Sequence, residues 1–553
     1  MNRVNIIGAG LAGLSAAITL AEKNIAVNLI SLQQSERAQS VLAEGGINGA
    51  LDAMGEGDAP SYHMEDTLRA GVNLADEEAV RGLTEEAPQI IRYLERLGVA
   101  FNTQDEEILQ RSFGGQKKKR TAYARSSTGK IIMTAMIDEA RKHEARGLII
   151  RYPHHEMEKL VLEDGGNGGC LGVMVRDIYT DEMLSFEGTV ILAIGGMNGV
   201  FPELTTGTVA NSGDALAQVF SQGVRLGNLE MIQYHPTTIG ISGKRCLVSE
   251  AARGEGGRLF VLRDGKPWYF MEEKYPELGN LMPRDVVSRE IYFVKKDSAC
   301  GDQVYLDMTG LPEDAWRKRL PDLRAELIHY LTIDPKRSPI PVDPAIHYFM
   351  GGIHVDKEHC TNFKGLYAAG ECCDQYHGAN RLGGNSLLGA IYGGRVAART
   401  VASELMTKEG TPGAGNGTKG NIVPDADCDF REASPQLVLE IRDILMQAMG
   451  IVRSAGELEK AEGELRLLLE RDGLREREKN RIYLALAIVA SALFRKESRG
   501  AHYRMDYPER DDAFSGITRA VLVSAKCERA EGKPGRDVRL QVTCGENQGQ
   551  GKT

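Results

Sequence analysis

The sequence predicts an α/β protein in which a Rossmann-like nucleotide-binding domain is broken by a long insertion and followed by a helical bundle. Three observations predict it. A strand, a glycine turn, a helix and a second strand open the chain; two further strand-plus-glycine signals recur far along it; and a Gly/Pro-rich stretch separates these from three helices with regular apolar spacing.

Val4-Asn5-Ile6-Ile7 reads as a short strand, Gly8-Ala9-Gly10-Leu11-Ala12-Gly13 opens a helix running to about Lys23, and residues 25–30 form the next strand. The glycines have separate duties: Gly8 makes the tight turn, Gly10 lets the backbone reach a pyrophosphate at the helix N-terminus, and Gly13 lets helix and strand pack closely. Arg3 followed by an apolar run imitates a signal peptide, but the glycine spacing decides for the nucleotide fold. The acidic residue expected for a ribose is missing, since the second strand ends at Ser31-Leu32, which argues against a plain NAD site.

Residues 189–196 read as a buried parallel strand running into a Gly pair, and 365–371 repeat the pattern. Segments so far apart serving one nucleotide imply an insertion. The boundaries expected are a first nucleotide-domain part at 1–227, an inserted domain at 228–343, a second part at 344–406, a linker at 407–427, a helical domain at 428–505 and a C-terminal segment at 506–553 with a polar, frayed end. In the helical domain Ser434 and Pro435 serve as N-cap and N1 ahead of Leu437, Ile441, Ile444, Leu445 and Ala448. Leu458, Ala461, Leu465 and Leu468 mark the second helix, and residues 482–494 the third.

The 553 residues carry 67 basic and 77 acidic side chains, a net charge of −10, which argues against nucleic acid as a partner. No apolar run is long enough to insert directly into a membrane. The nine Cys include no Cys-x-x-Cys pair, so they read as free thiols of a reducing cytoplasm, with no metal, cluster or haem held by this chain. Gly is enriched, 63 residues, in keeping with backbone that must approach a ligand closely.

Eight motifs then carry a resemblance. They are Ala43-Glu-Gly-Gly46; Phe113-Gly-Gly115 with Arg120-Thr121; Gln233-Tyr-His-Pro-Thr237; Ser249-Glu250 leading to Arg253-Gly-Glu-Gly-Gly257; Pro283-Arg284-Asp285; His347-Tyr-Phe-Met-Gly-Gly352; His377-Gly-Ala-Asn-Arg-Leu382; and Arg495-Lys-Glu-Ser-Arg-Gly-Ala-His502. Across nearly the whole chain the sequence resembles the flavoprotein subunits of fumarate reductase and succinate dehydrogenase, with L-aspartate oxidase as a close relative. The resemblance implies a Rossmann-like FAD-binding domain with an inserted α+β capping domain, followed by a C-terminal helical bundle.

It also implies roles. Arg284 is the proton donor, reloaded through Glu250 and Arg253, whose spacing puts them on one side of a helix or turn. His235, Ser249, His347, Arg381 and Phe113 form the dicarboxylate pocket. Gly8, Gly10, Gly13, Ser31, Gln39, Ser40, Gly45, Gly46, Asp214, Glu371, Ser386 and Leu387 bind FAD. Chemistry agrees with the residue types: reducing a but-2-enedioate takes a hydride at one carbon, a proton at the other, and cationic or hydrogen-bonding groups for two carboxylates. For Arg381 the plainer reading is an ion pair with Glu371. For residues 495–502 it is a tie between bundle and FAD domain.

Two departures matter. Membrane-bound relatives attach FAD through a His five residues before the Glu of the Ala-x-Gly-Gly loop; here that position is Gln39, so FAD is expected to be noncovalent. Aspartate oxidases place a Glu before the Gly-Gly of the 113–115 loop to meet the substrate ammonium, whereas Phe113 cannot pair a cation. The expected activity is interconversion of fumarate and succinate, direction open. The alternatives are an L-aspartate oxidase, a soluble reductase of another enoate, and a noncatalytic FAD-binding electron-transfer module. The family also implies an iron–sulfur partner subunit, allows a membrane anchor subunit, and puts the chain in the cytoplasm at the inner membrane face.

Overall fold

The computed structural model describes residues 3–163, 168–408, 433–528 and 534–545. The expected linker lies outside them from residue 409 on, as do Cys428 and the polar end from 546.

A five-stranded parallel sheet forms the centre, in the order Leu366–Ala368, Val190–Leu192, Val4–Ile7, Val27–Ser31 and Ile149–Pro153. All three strand-plus-glycine signals are therefore neighbours in one sheet, although they lie hundreds of positions apart. Every residue of Val4–Ile7 and Val190–Leu192 is buried, the pattern of parallel strands covered on both faces. Helix Leu11–Glu22 covers one face together with Asn385–Lys408. Gly394 makes that packing possible, because a Cβ there would stand 2.3 Å from the Ala12 carbonyl oxygen. An antiparallel meander, His155–Leu162, Cys170–Asp177 and Met183–Glu187, follows the fifth strand and has no counterpart in the sequence reading.

The insertion is built on a six-stranded antiparallel sheet. Its two long central strands, Ile232–Ile241 and Ile340–Phe349, rise from the FAD domain, and the second runs across the boundary expected at 343. Helix Arg284–Lys296 buries Val287, Ile291 and Val294 against Leu259, Val261, Val304 and Leu306 of this sheet.

Helices Pro435–Ala448, Ala455–Leu469 and Glu476–Phe494 follow. Leu437, Ile441, Leu445 and Ala448 are buried in the first, and Leu458, Ala461, Leu465 and Leu468 in the second, as their spacing predicts. The third begins earlier than expected, at Glu476. These helices have no core apart: Ile441, Leu465 and Ile488 share one apolar cluster with Phe201, Phe220 and Leu226 of the FAD domain. A final hairpin, Thr518–Glu528 with Pro534–Cys544, adds to Leu226–Gly227. Arg495 is fully buried, its Nε 2.6 Å from Glu230 Oε1 and its other nitrogens bonded to Glu497, Phe514, Gly516 and Thr518, so its charge is paired and its donors used.

Candidate active site

A continuous cavity runs from the amino-terminal glycine turn to the capping sheet. At the turn the three glycines differ. Gly8 has φ +112°, and a Cβ there would lie 2.1 Å from the Ala193 oxygen; one on Gly13 would lie 1.8 Å from the Gly8 oxygen. The chain's own packing demands both. Gly10 is different, for its Cβ would meet nothing nearer than Ala38 Cβ at 3.7 Å. It opens the helix without a side-chain cap of its own; the Leu11 N–H reaches Ser40 Oγ at 3.4 Å, and the positive end of the dipole faces an approach kept clear. Asp214 Oδ1 and Asn211 Nδ2, farther along the wall, are buried with no partner in the protein. A bare helix terminus, a cleared backbone and unpaired polar atoms along one cavity fit a dinucleotide such as FAD.

Gly8, Gly10, Ser31, Gln39, Ser40, Gly45, Gly46, Asp214, Glu371, Ser386 and Leu387 all line this cavity, while Gly13 lies beneath the turn. Gln39 Oε1 accepts from Thr208 N at 2.5 Å, tying the 39–42 turn to the 206–210 loop. Glu371 accepts from Phe349 N at 3.2 Å, and burial pushes its carboxyl up to about 7. Thr206, Thr208, Asn211 and Ser212 also line the wall. Their signal was the short, polar run that follows the second strand-plus-glycine segment.

At the other end the cavity meets Phe113, His235, Ser249, Glu250, Arg284, His347 and Arg381; Arg253 stands just behind Glu250. Arg284 opens its helix, with Pro283 as N-cap, and donates from Nε to Glu250 Oε2 at 2.9 Å, from Nη2 to the same oxygen at 2.5 Å, and from Nη1 to Gln233 Oε1 at 3.1 Å. Glu250 Oε1 accepts from Arg253 Nη2 at 3.3 Å and Gly114 N at 3.2 Å. The i,i+3 spacing across the short helix Ala251–Gly254 brings Glu250 and Arg253 together. Burial alone would raise the Glu250 carboxyl, yet the charges of Arg284 and Arg253, with the Arg284 and Gly114 hydrogen bonds, hold it below its ordinary value.

The two long strands bring His235 and His347 side by side, ring centroids 5.3 Å apart. Both imidazoles are held well below their ordinary value, first by burial and then by Arg284, so they are neutral donors or acceptors at pH 7. His347 Nδ1 lies 2.7 Å from Thr206 Oγ1, whereas His235 Nε2 has no partner in the protein. The Arg381 guanidinium lies 4.4 Å over the Tyr348 ring, its Nε also without a partner. Burial, then Arg284, pushes it down to about 9. Gln233 is a hub the sequence reading left without a role: besides accepting from Arg284, it donates to Asn380 Oδ1 and to the Arg381 carbonyl, each at 2.8 Å.

Nucleotide end and cationic end share one cavity, an arrangement that suits an FAD-dependent oxidoreductase, the class its relatives also define. Residues 3–387 match the family model described as FAD binding domain, and residues 477–537 match the one described as fumarate reductase flavoprotein C-term. The chain is 38% identical over 551 residues to the succinate dehydrogenase flavoprotein subunit of Bacillus subtilis, covering 94% of each. It is 36% identical over 508 residues to an L-aspartate oxidase of Pyrococcus horikoshii, covering 92% of this chain and 96% of the relative. An E. coli quinol fumarate reductase structure superposes with a TM-score of 0.83 at 30% identity, over 98% of this chain and 96% of that one. The chain belongs to the flavoprotein family of succinate dehydrogenase and fumarate reductase, which also holds L-aspartate oxidase. Among the described residues no helix is long and apolar enough to cross a membrane.

Proposed function

We propose that this chain interconverts fumarate and succinate, with Arg284 carrying the proton. One observation carries the reading: Arg284 is clasped by Glu250 and Gln233 at the inner end of a pocket lined by Arg284 and Arg381, with Arg253 behind Glu250. The two lining cations, with a third behind Glu250, suit a dicarboxylate dianion.

Arg381 holds one carboxylate through its planar fork, and the neutral His235 and His347, with the Ser249 hydroxyl, hold the other without adding charge. In reduction a hydride reaches one alkene carbon and the Arg284 guanidinium gives its proton to the neighbouring carbon. Glu250, bonded to two Arg284 nitrogens, is the group that returns the proton, and Arg253 steadies Glu250 from behind. Oxidation runs the same steps backwards. FAD in the cavity supplies the hydride for reduction and takes it up in oxidation. It is noncovalent, because the amide of Gln39 cannot act as the attaching nucleophile.

The L-aspartate oxidase reading has a relative of similar identity in its favour. Against it stands Phe113, buried and packed on Gly45, which offers a substrate ammonium no counter-charge. Electrons pass between the flavin and an iron–sulfur partner subunit, with a membrane anchor subunit holding the assembly at the inner face of the cell membrane and this chain on the cytoplasmic side. The test is turnover by the purified chain: fumarate with a reduced viologen dye, succinate with an oxidised dye, and peroxide formation from L-aspartate. Robust aspartate oxidation with no fumarate reduction overturns the proposal.

A further inference from the structure

The third helix of the bundle, Glu476–Phe494, presents three polar side chains to the FAD domain from its first turns. Arg481 Nη2 donates to Asp214 Oδ2 at 2.5 Å. Asn480 Nδ2 donates to Gln218 Oε1 at 2.8 Å, on the helix that Asp214 opens. Arg477, one turn before Arg481, donates to Glu158 Oε1 and Oε2 at 2.9 and 2.8 Å and to Glu156 Oε2 at 3.1 Å. Two of these acids, Asp214 and Glu156, line the FAD cavity. Asp214 is the sharper case. Arg481 and the Ser212 hydroxyl, at 3.0 Å, both bond Oδ2, while Oδ1 is buried with no partner in the protein. A carboxylate oriented by one oxygen presents the other as an acceptor, the chemistry that recognises a hydroxyl of a ribityl or ribose chain.

We propose that Arg481 is a positioning residue for the cofactor: the helical bundle, through Arg481 on Asp214 and Arg477 on the 156–158 strand, is part of the FAD site and sets how tightly FAD is kept. The proposal rests on FAD occupying this cavity and not on the succinate/fumarate reading. Binding is reciprocal, so a bundle that tightens FAD is itself tightened by FAD.

The experiment follows FAD loss from the purified holoenzyme by flavin fluorescence after dilution, for the parent, Arg481→Gln, Arg481→Lys and Arg442→Gln. Arg442 is on the bundle too but pairs with the exposed Glu203 and touches neither cavity acid, so it reports general loosening. Arg481→Gln is expected to release FAD about tenfold faster, the scale of losing a hydrogen bond between charged groups; Arg481→Lys should recover part of that, and Arg442→Gln should match the parent. Release from Arg481→Gln within twofold of the parent, or equal to that from Arg442→Gln, overturns the proposal. A second measurement needs no variant: amide hydrogen exchange in residues 476–494 of the parent should rise when FAD is stripped and fall when it is restored. Exchange indifferent to FAD also overturns it.

Discussion

Replacing Arg284 with glutamine removes three hydrogen bonds at one stroke, two to Glu250 and one to Gln233, and takes one positive charge from the pocket. Glu250 keeps Arg253 and the Gly114 N–H, so the carboxylate stays paired and the capping sheet should still fold. No lining position of the nucleotide end is touched, so FAD content should equal the parent's. What goes is the proton donor, and general acids contribute about 10²- to 10⁴-fold; at about 1.4 kcal/mol per decade that is about 3–5 kcal/mol of barrier. The assay is dye-linked fumarate reduction at saturating fumarate, with FAD quantified by absorbance in the same samples. Arg284→Lys separates charge from geometry: the lysine restores the positive charge, so KM should return towards the parent's, but a point-like ammonium cannot make the forked contact to Glu250 and Gln233, so kcat should stay depressed. Turnover within about tenfold of the parent in either variant rejects Arg284 as the proton carrier.

Acid precipitation should leave the yellow flavin in the supernatant, because Gln39 offers no covalent link; colour retained in the pellet contradicts this. Phe113→Glu should lower fumarate turnover at least about tenfold by placing a carboxylate beside a dianion, and the check is fumarate reduction alongside peroxide formation from L-aspartate. Gly10→Ala should fold like the parent yet bind FAD poorly, whereas Gly8→Ala should lose stability outright, since only Gly8 has a clashing carbonyl and positive φ; thermal melts and FAD titration tell them apart. Glu371 binds its proton up to about pH 7 when folded against 4.5 ordinarily, so between those values the folded chain holds more protons and stability falls as pH rises, by up to about 3 kcal/mol. Glu371→Gln should flatten that fall in melting temperatures taken from pH 4.5 to 7.5, and a parallel fall in parent and variant refutes the assignment.

Three strands of the central sheet, Val4–Ile7, Val190–Leu192 and Leu366–Ala368, were legible because each is a short, mostly apolar run leading into glycine, a local signal that needs no knowledge of its partners; Ile149–Pro153, with Arg151 in it and no glycine after it, was not. The bundle helices were legible for the same reason, from the 3.6-residue spacing of Leu458, Ala461, Leu465 and Leu468. What stayed hidden depends on pairing across distance. The meander from 155 to 187 mixes exposed and buried positions without clean alternation, and the closing hairpin at 518–544 is held by its own cross-strand pairing and by adding to Leu226–Gly227 far back in the chain. In the pocket, residues that face the cavity were named from motifs, because charged and imidazole side chains among glycines stand out. Gln233 and Tyr348 were not, for their importance lies in what they touch: Gln233 joins Arg284 to Arg381, and Tyr348 underlies Arg381. Nothing in residue type alone marks a hub.

The division of the pocket between the two halves of the molecule makes it an interlock. Glu250, Arg253 and Arg284 all belong to the insertion, both arginines bonded to Glu250, so a swing of that unit would carry the three as a cassette and break only the Glu250 contact to Gly114 N of the FAD domain. Arg381 belongs to the other half, and the bridge from Arg284 to it passes through the Gln233 side chain at the foot of the long strands on which the unit would pivot. Opening would then part acid from anion clamp while leaving each intact. On the proposed roles, substrate gripped by Arg381 alone would have no proton within reach, and a loaded acid with no clamped dicarboxylate would have nothing to protonate. On that reading the two halves would have to meet on the same molecule before either could act.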